Sequence, residues 1–444
     1  MSVTLLPFFW YLIVAFAPDA APPDTADLAL PSSTGDASTD VTVLDLALLR
    51  DQLRNAGADL SSDERVRIEA WYAGDFNDWD ADLAERHLQA NAAGLDAAAL
   101  LARGEARIRF PVQEALLDPR ASVTLFGLIG LQQVTARAGR DGQPALHPSA
   151  DGPSAQAALA VQILNAQGDL KRLAAAIFAV ELATDFRALE TFATISEQPL
   201  PLQTLETLLS DRDTFRQVIL AEYHQRRLLL LAILRGDAID WLDPQELQAL
   251  RTLSKAGLFK KNAALGLLAN AYRDVLARWE ALGAAASLPV EAVNTPYRIP
   301  AEAPSFMDLA LSFNPGGTYF MRRVGGLLPS PEFLEARRRL ALWWVRSARI
   351  QLALNGYVAS ASGAMPDTLA VLSAQFPELV VADPFAPAGA PLGYDAETGF
   401  LRSVGLDGEA EPASALEASV APSQLLDRWE APVRVLAFPK SSAE

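Results

Sequence analysis

The feature that most constrains this chain is a change of texture near Pro331. From Val41 onward, apolar residues recur at helical spacing through most of the chain; within Pro331 to Gly408, above all from Asp383, turn residues come to alternate with short apolar runs. Apolar positions three and four apart specify amphipathic helices, whereas short alternating runs bounded by Gly and Pro specify strands and turns. The fold class that follows is mainly α. An irregular helical array or bundle is expected over 41–329, and a long helix with a small C-terminal α+β module over 330–444.

The helical reading rests on start and stop signals as well as periodicity. Ser61 with Glu64 three residues on is a capping-box start, and Asp243-Pro244-Gln245-Glu246 places an N-cap, a first-turn Pro and a first-turn acid in order. Helices are expected at about 80–106, 112–138, 153–167, 170–194, 201–209, 213–234, 262–282 and 305–313, with Asn314-Pro315-Gly316-Gly317 breaking the last. The 213–234 segment is apolar nearly all round, which makes it a central helix with Leu220, Leu230 and Leu231 in the core. Leu159 to Ala183 has a helix-turn-helix layout, but its period does not recur, so a regular repeat array is not expected.

Acidic residues crowd into Asp75-Phe76-Asn77-Asp78-Trp79-Asp80-Ala81-Asp82. An EF-hand would need an oxygen ligand at Trp79, Gly at Asp80 and Glu at Arg86, so the segment reads as carboxylates at a helix N-terminus.

Val3 to Ala17 is nearly unbroken apolar and ends in Ala15-Phe16-Ala17. Its fifteen residues fall short of the roughly 20 a bilayer span wants, and fit a signal-peptide core with an Ala-x-Ala cleavage site, or a retained anchor. No Lys or Arg precedes it, and Pro18 follows at once; a buried core helix is the alternative. Residues 18–40, rich in Pro, Ala, Asp, Ser and Thr, read as a disordered linker.

Composition then excludes function classes. A net charge of −17 argues against nucleic acid and against an anionic membrane surface as partners. With no cysteine and three histidines, thiolate chemistry is absent and the usual zinc sites are nearly excluded. No phosphate loop, nucleophile elbow or zincin motif is present. Glu222 and His224 are two apart on a helix, so their side chains diverge.

In the C-terminal part, Ser330-Pro331-Glu332 starts a helix expected from Phe333 to Asn355, stopped by Asn355-Gly356. A short helix through Leu369, Leu372 and Phe376 follows, then the Asp383-Pro384-Phe385 turn. Residues 391–394 and 399–404 read as a hairpin that buries Leu392, Phe400 and Val404 against Trp343 and Trp344, with a further strand near Val433 and Val435. This order, Asp-Pro-Phe, Pro391-Leu-Gly-Tyr394, then Gly399-Phe400 and Ser403-Val-Gly-Leu-Asp407-Gly408, resembles the C-terminal part of the major pseudopilin of type II secretion systems. The whole layout is similar to that of uncharacterised membrane-anchored bacterial proteins.

The pseudopilin resemblance implies a calcium-binding loop in which Ser403 and Asp407 are the matching positions. Further Asp ligands of that loop are replaced here by Ser414 and Ala415, and calcium needs six to eight oxygens, so the residues themselves read as a turn with no cofactor. The chain also lacks a pilin start next to the motif, and so is not a pilin subunit. The function expected is an exported or membrane-tethered scaffold or interaction protein in the cell envelope, linked to a secretion apparatus. It would have a protein partner, membrane contact through the N-terminal segment and no identifiable catalysis. A helical enzyme or a binder of a small apolar ligand is the alternative.

Overall fold

The computed structural model describes residues 12–30, 42–56, 59–110, 116–140, 152–166, 168–184, 201–283, 288, 297–298, 312–323, 328–361, 364–386, 389–396, 400–405 and 433–435. Within them the chain is mainly α-helical. A 3-10 turn over Ala26–Leu28 comes first. The helices are α1 (Leu46–Ala56), α2 (Ser62–Tyr72), α3 (Ala81–Ala90), α4 (Ala92–Ala102), α5 (Ala121–Arg140), α6 (Gly152–Asn165) and α7 (Leu170–Ala183), then α8 (Leu202–Ser210), α9 (Arg212–Arg235), α10 (Pro244–Lys255), α11 (Lys261–Leu282), α12 (Pro315–Arg323), α13 (Pro331–Ser360) and α14 (Leu369–Gln375). Short strands pair as β1 (Thr42–Val43) parallel to β2 (Ala106–Arg107), and β3 (Tyr297–Arg298) antiparallel to β4 (Leu328–Pro329).

Local signals act as the sequence indicates. Ser61 and Glu64 form a reciprocal capping box on α2, and Asp243 accepts from Gln245 N and Glu246 N at the start of α10. Asp80 caps α3 by accepting from Leu83 N at 3.0 Å, as a helix N-terminus rather than a calcium loop would have it. The expected helix at 80–106 is two: Asn91 ends α3, its side chain donating to the His87 carbonyl at 2.8 Å, and α4 sets off anew.

Two boundaries differ from expectation for physical reasons. Asn314-Pro315-Gly316-Gly317 starts α12 rather than ending a helix: Asn314 Oδ1 accepts from Gly317 N at 3.1 Å, and Pro315 needs no partner at the first position. Glycine is required at Gly316, because a Cβ there would lie 2.5 Å from Phe259 Cβ. At the other end, α13 runs through Asn355-Gly356 to Ser360, with Gln351 Nε2 donating to Asn355 Oδ1 one turn on. The helix expected at 305–313 lies largely outside the described residues.

Leu220 and Leu230 of α9 are fully buried and Leu231 is half-buried, so α9 is central as expected. One apolar cluster runs from Leu28 through α9 and α13 to Leu401. Helix α13 packs on α7, α8 and α11. It therefore belongs to the body, and the boundary expected at residue 330 does not separate two cores.

The C-terminal sheet is three-stranded and antiparallel: β5 (Gly393–Asp395), β6 (Phe400–Arg402) and β7 (Val433–Val435), in that order. Leu392 and Leu401 are buried in the large cluster with Trp343 and Trp344, and Val404 packs partly buried against it. Leu401, one residue beyond the Phe400 expected inside, is the fully buried position; the Phe400 side chain lies outside the described set.

Candidate functional site

The N-terminal part is built into the body. Residues 12–16 are helical, and Val14 is buried. Lys260, only 7% exposed, donates its ammonium to the Ala15 carbonyl at 3.0 Å and the Ala17 carbonyl at 2.7 Å. A cation on the last carbonyls of a helical turn satisfies acceptors with no internal partner. Asp19 then caps α11, its carboxylate accepting from Asn262 N at 2.8 Å and Ala263 N at 3.1 Å, where Lys260 at the N-cap position supplies no side-chain acceptor of its own.

Further along α11, Arg273 holds Asp27 through two hydrogen bonds of 2.6 and 2.8 Å and reaches the Asp24 carbonyl. The Arg273 bond holds the Asp27 carboxyl below the usual carboxylate range. The His224 ring meets the Leu28 carbonyl at 3.0 Å through Nε2, and Leu28 is fully buried in the main core. Desolvation lowers the His224 pKa. Residues 12–30 thus form a strap along α11. The expected linker begins inside it: residues 18–30 are held by specific bonds, and 31–40 lie outside the described residues. The reason is that the tract's acids and carbonyls meet Lys260, Arg273 and the open end of α11, a pairing no local pattern reveals.

At the start of this strap some apolar side chains are uncovered. Phe16 is 85% exposed and Ile13 61%. Among the described residues, no helix is long and apolar enough to cross a membrane; residues 1–11 lie outside them.

At the other end, Ser403 and Asp383 meet. The Ser403 hydroxyl donates to Asp383 Oδ1 at 2.8 Å, Phe385 N donates to the same oxygen at 2.9 Å, and Val404 N donates to Oδ2 at 2.8 Å. Ser403 Oγ in turn accepts from Gly405 N at 3.1 Å. Asp407 lies outside the described residues. Among those described, no group of three or more His, Cys, Asp or Glu side chains is placed to hold a metal ion.

Buried charge is concentrated on structural joints. Glu335 is 1% exposed and receives Arg212, Arg338 and Arg339 at 2.7 to 2.9 Å. Glu206 of α8 pairs with Arg346 and Arg349, which also donate to the Ala382 and Glu378 carbonyls and so clamp the C-terminal module to α13. Glu222 is paired with Arg226 at 2.8 Å rather than with His224; burial raises its pKa, opposed by Arg226. The Arg212–Glu335 and Arg346/Arg349–Glu206 pairings join helices, whereas Glu222–Arg226 stays within α9.

The chain matches no family model, no curated protein and no solved structure.

Proposed function

We propose that the chain is a membrane-tethered scaffold or interaction protein of the cell envelope, with its helical body facing outward and the apolar N-terminal segment as tether. The observation that carries this reading is the strap: Lys260 and Asp19 fix residues 15–20 to α11, while Phe16 and Ile13 stay exposed next to the apolar run 3–11. Exposed Phe16 and Ile13 suit an anchor better than a core helix, which would bury those side chains.

The C-terminal module fits the role of a folded cap. Its Asp383 and Ser403 join the two halves of the motif that resembles the pseudopilin ending, and that resemblance is the ground for a link to a secretion apparatus. The partner proposed is a protein rather than nucleic acid, given the net charge of −17, and no catalysis or cofactor is proposed.

A reporter fused after Asp40 tests the reading. It is expected to be active outside the cytoplasm and membrane-bound, and to lose both properties when residues 1–17 are deleted. A soluble cytoplasmic reporter overturns it.

A further inference from the structure

The chain has five lysines, and three of them, Lys255, Lys260 and Lys261, fall within seven residues. Within those seven residues Gly257 and Lys260 meet the strap. Gly257 lies so close that an added Cβ would be 3.1 Å from the Ala15 carbonyl oxygen, and Lys260 binds that same oxygen. Lys260 is consumed by the strap. Lys255 and Lys261 are exposed and, among the described residues, make no ion pair.

Two acids bear on this end: Glu246 is offset by Arg323, and Asp19, which accepts from the α11 amides and keeps its charge, is outnumbered by the three lysines. No acidic residue occurs in sequence between Glu246 and Asp274. In a chain of net charge −17, this end of the body is therefore locally basic. It is also apolar: besides Leu12, Ile13 and Phe16, it exposes Phe313 (47%), whose neighbour Asn314 accepts from Lys260 N at 2.8 Å.

We propose that this end is a lipid-contact face that binds an anionic phospholipid surface. Lys255 and Lys261 meet headgroup phosphates, while Phe16, Ile13 and Phe313 enter the headgroup and acyl boundary. The proposal rests on the tether reading, because the apolar run 3–11 joins the strap here and would bring this face to the bilayer. It reverses, for this face, what the total charge implies for the whole chain. Apolar contact plus basic residues is the two-signal combination that gives stable attachment at a membrane surface.

The test is flotation of the full chain with two kinds of vesicle, phosphatidylcholine alone and phosphatidylcholine mixed with phosphatidylglycerol. Binding to the neutral vesicles reads the apolar tether, and the gain on the anionic ones reads the lysine face. A lysine near an anionic surface is worth about fivefold in partition, so the pair is expected to give up to about twenty-fivefold, shrinking as salt is added. Lys255→Glu/Lys261→Glu is expected to abolish that gain and leave neutral binding intact; Lys255→Gln/Lys261→Gln is expected to lose most of it. Both side chains are exposed, so the melting temperature should match that of the parent chain. Equal binding to the two vesicles, or a gain that survives the Glu variant, overturns the lipid face while leaving the tether standing. Absence of neutral binding with a persistent, lysine-dependent anionic gain overturns the tether and supports the face alone.

Discussion

The Ser403 hydroxyl donates to Asp383 Oδ1 across 2.8 Å, tying the strand end after β6 to the turn before β5. With Phe385 N and Val404 N, three donors converge on one buried carboxylate. Removing an acceptor strands each donor without a partner, and each such loss costs about 1 to 3 kcal/mol. Asp383→Ala is therefore expected to destabilise by about 3 kcal/mol and Ser403→Ala by about 1, measured by urea unfolding. Equal, negligible losses in both variants would show that this link does not hold the module.

Calcium is a separate question for the same stretch. Ser403 Oγ already donates to Asp383 and accepts from Gly405 N, so its hydroxyl is committed to the fold. Ligand binding to the native state raises its melting temperature with ligand concentration. Millimolar calcium is expected to leave the melting curve unchanged. A concentration-dependent rise that Asp407→Ala abolishes would establish the ion site that the pseudopilin resemblance implies.

What was legible in the sequence was what is local. Ser61, Glu64 and Asp243 could be assigned as caps because donor and acceptor lie within a turn of each other, the Asp75 to Asp82 segment could be read as a helix N-terminus, and α9 could be placed centrally because its apolar residues cover well over one face. The strap was not legible, since Asp19 caps a helix 243 residues away and its own neighbours are a Pro and Ala tract that looks unstructured. The cluster of Lys255, Lys260 and Lys261 was the available signal, hidden by a total charge of the opposite sign. Likewise Asp383 and Ser403 were each noticed as motif residues, but nothing in their spacing states that one binds the other.

His87 carries a pH dependence. Its ring is buried, with Nε2 2.8 Å from the Tyr72 hydroxyl and Nδ1 3.3 Å from Asn91 Nδ2; since that amide nitrogen also donates to the His87 carbonyl, the neutral ring carries its proton on Nε2. Desolvation lowers the His87 pKa to about 4. Because the unfolded chain binds this proton more readily, stability is full above about pH 6.5 and falls as pH drops towards 4, by about 3 kcal/mol in all. His87→Gln is expected to flatten the stability curve in that window. An identical slope in the variant would assign the acid sensitivity elsewhere.

Glu335 is the charge whose loss should be felt most. Three guanidiniums, of Arg212, Arg338 and Arg339, close on its buried carboxylate. Burial opposes its ionisation, yet the Arg338 and Arg339 bonds together hold its pKa below the usual range. Breaking a buried pair by removing one partner costs about 3 to 5 kcal/mol, because the other charge is left uncompensated. Glu335→Ala is expected to lose that amount at neutral pH in chemical denaturation. A loss below about 1 kcal/mol would mean that water screens these arginines as it does a surface pair.

The strap supplies the last prediction, because its bonds differ in kind. Asp19 acts as a helix cap, so Asp19→Ala is expected to cost about 1 kcal/mol, whereas Leu28 is fully buried in the main core and Leu28→Ala is expected to cost about 2 to 5. Lys260 lies between these cases: it is buried, and among the described residues its ammonium donates to the Ala15 and Ala17 carbonyls. Deleting residues 1–17 would leave that ammonium without partners, which burial makes costly. The deletion is therefore expected to destabilise the native chain, and Lys260→Met, which removes the stranded charge while keeping the side chain's bulk, is expected to recover part of the loss in the deleted chain while costing stability in the full one. This crossing of effects separates a retained, docked segment from one that merely lies alongside. If the deletion leaves the unfolding curve unaltered in both backgrounds, residues 15–17 contribute nothing to the fold, and the strap begins at Asp19.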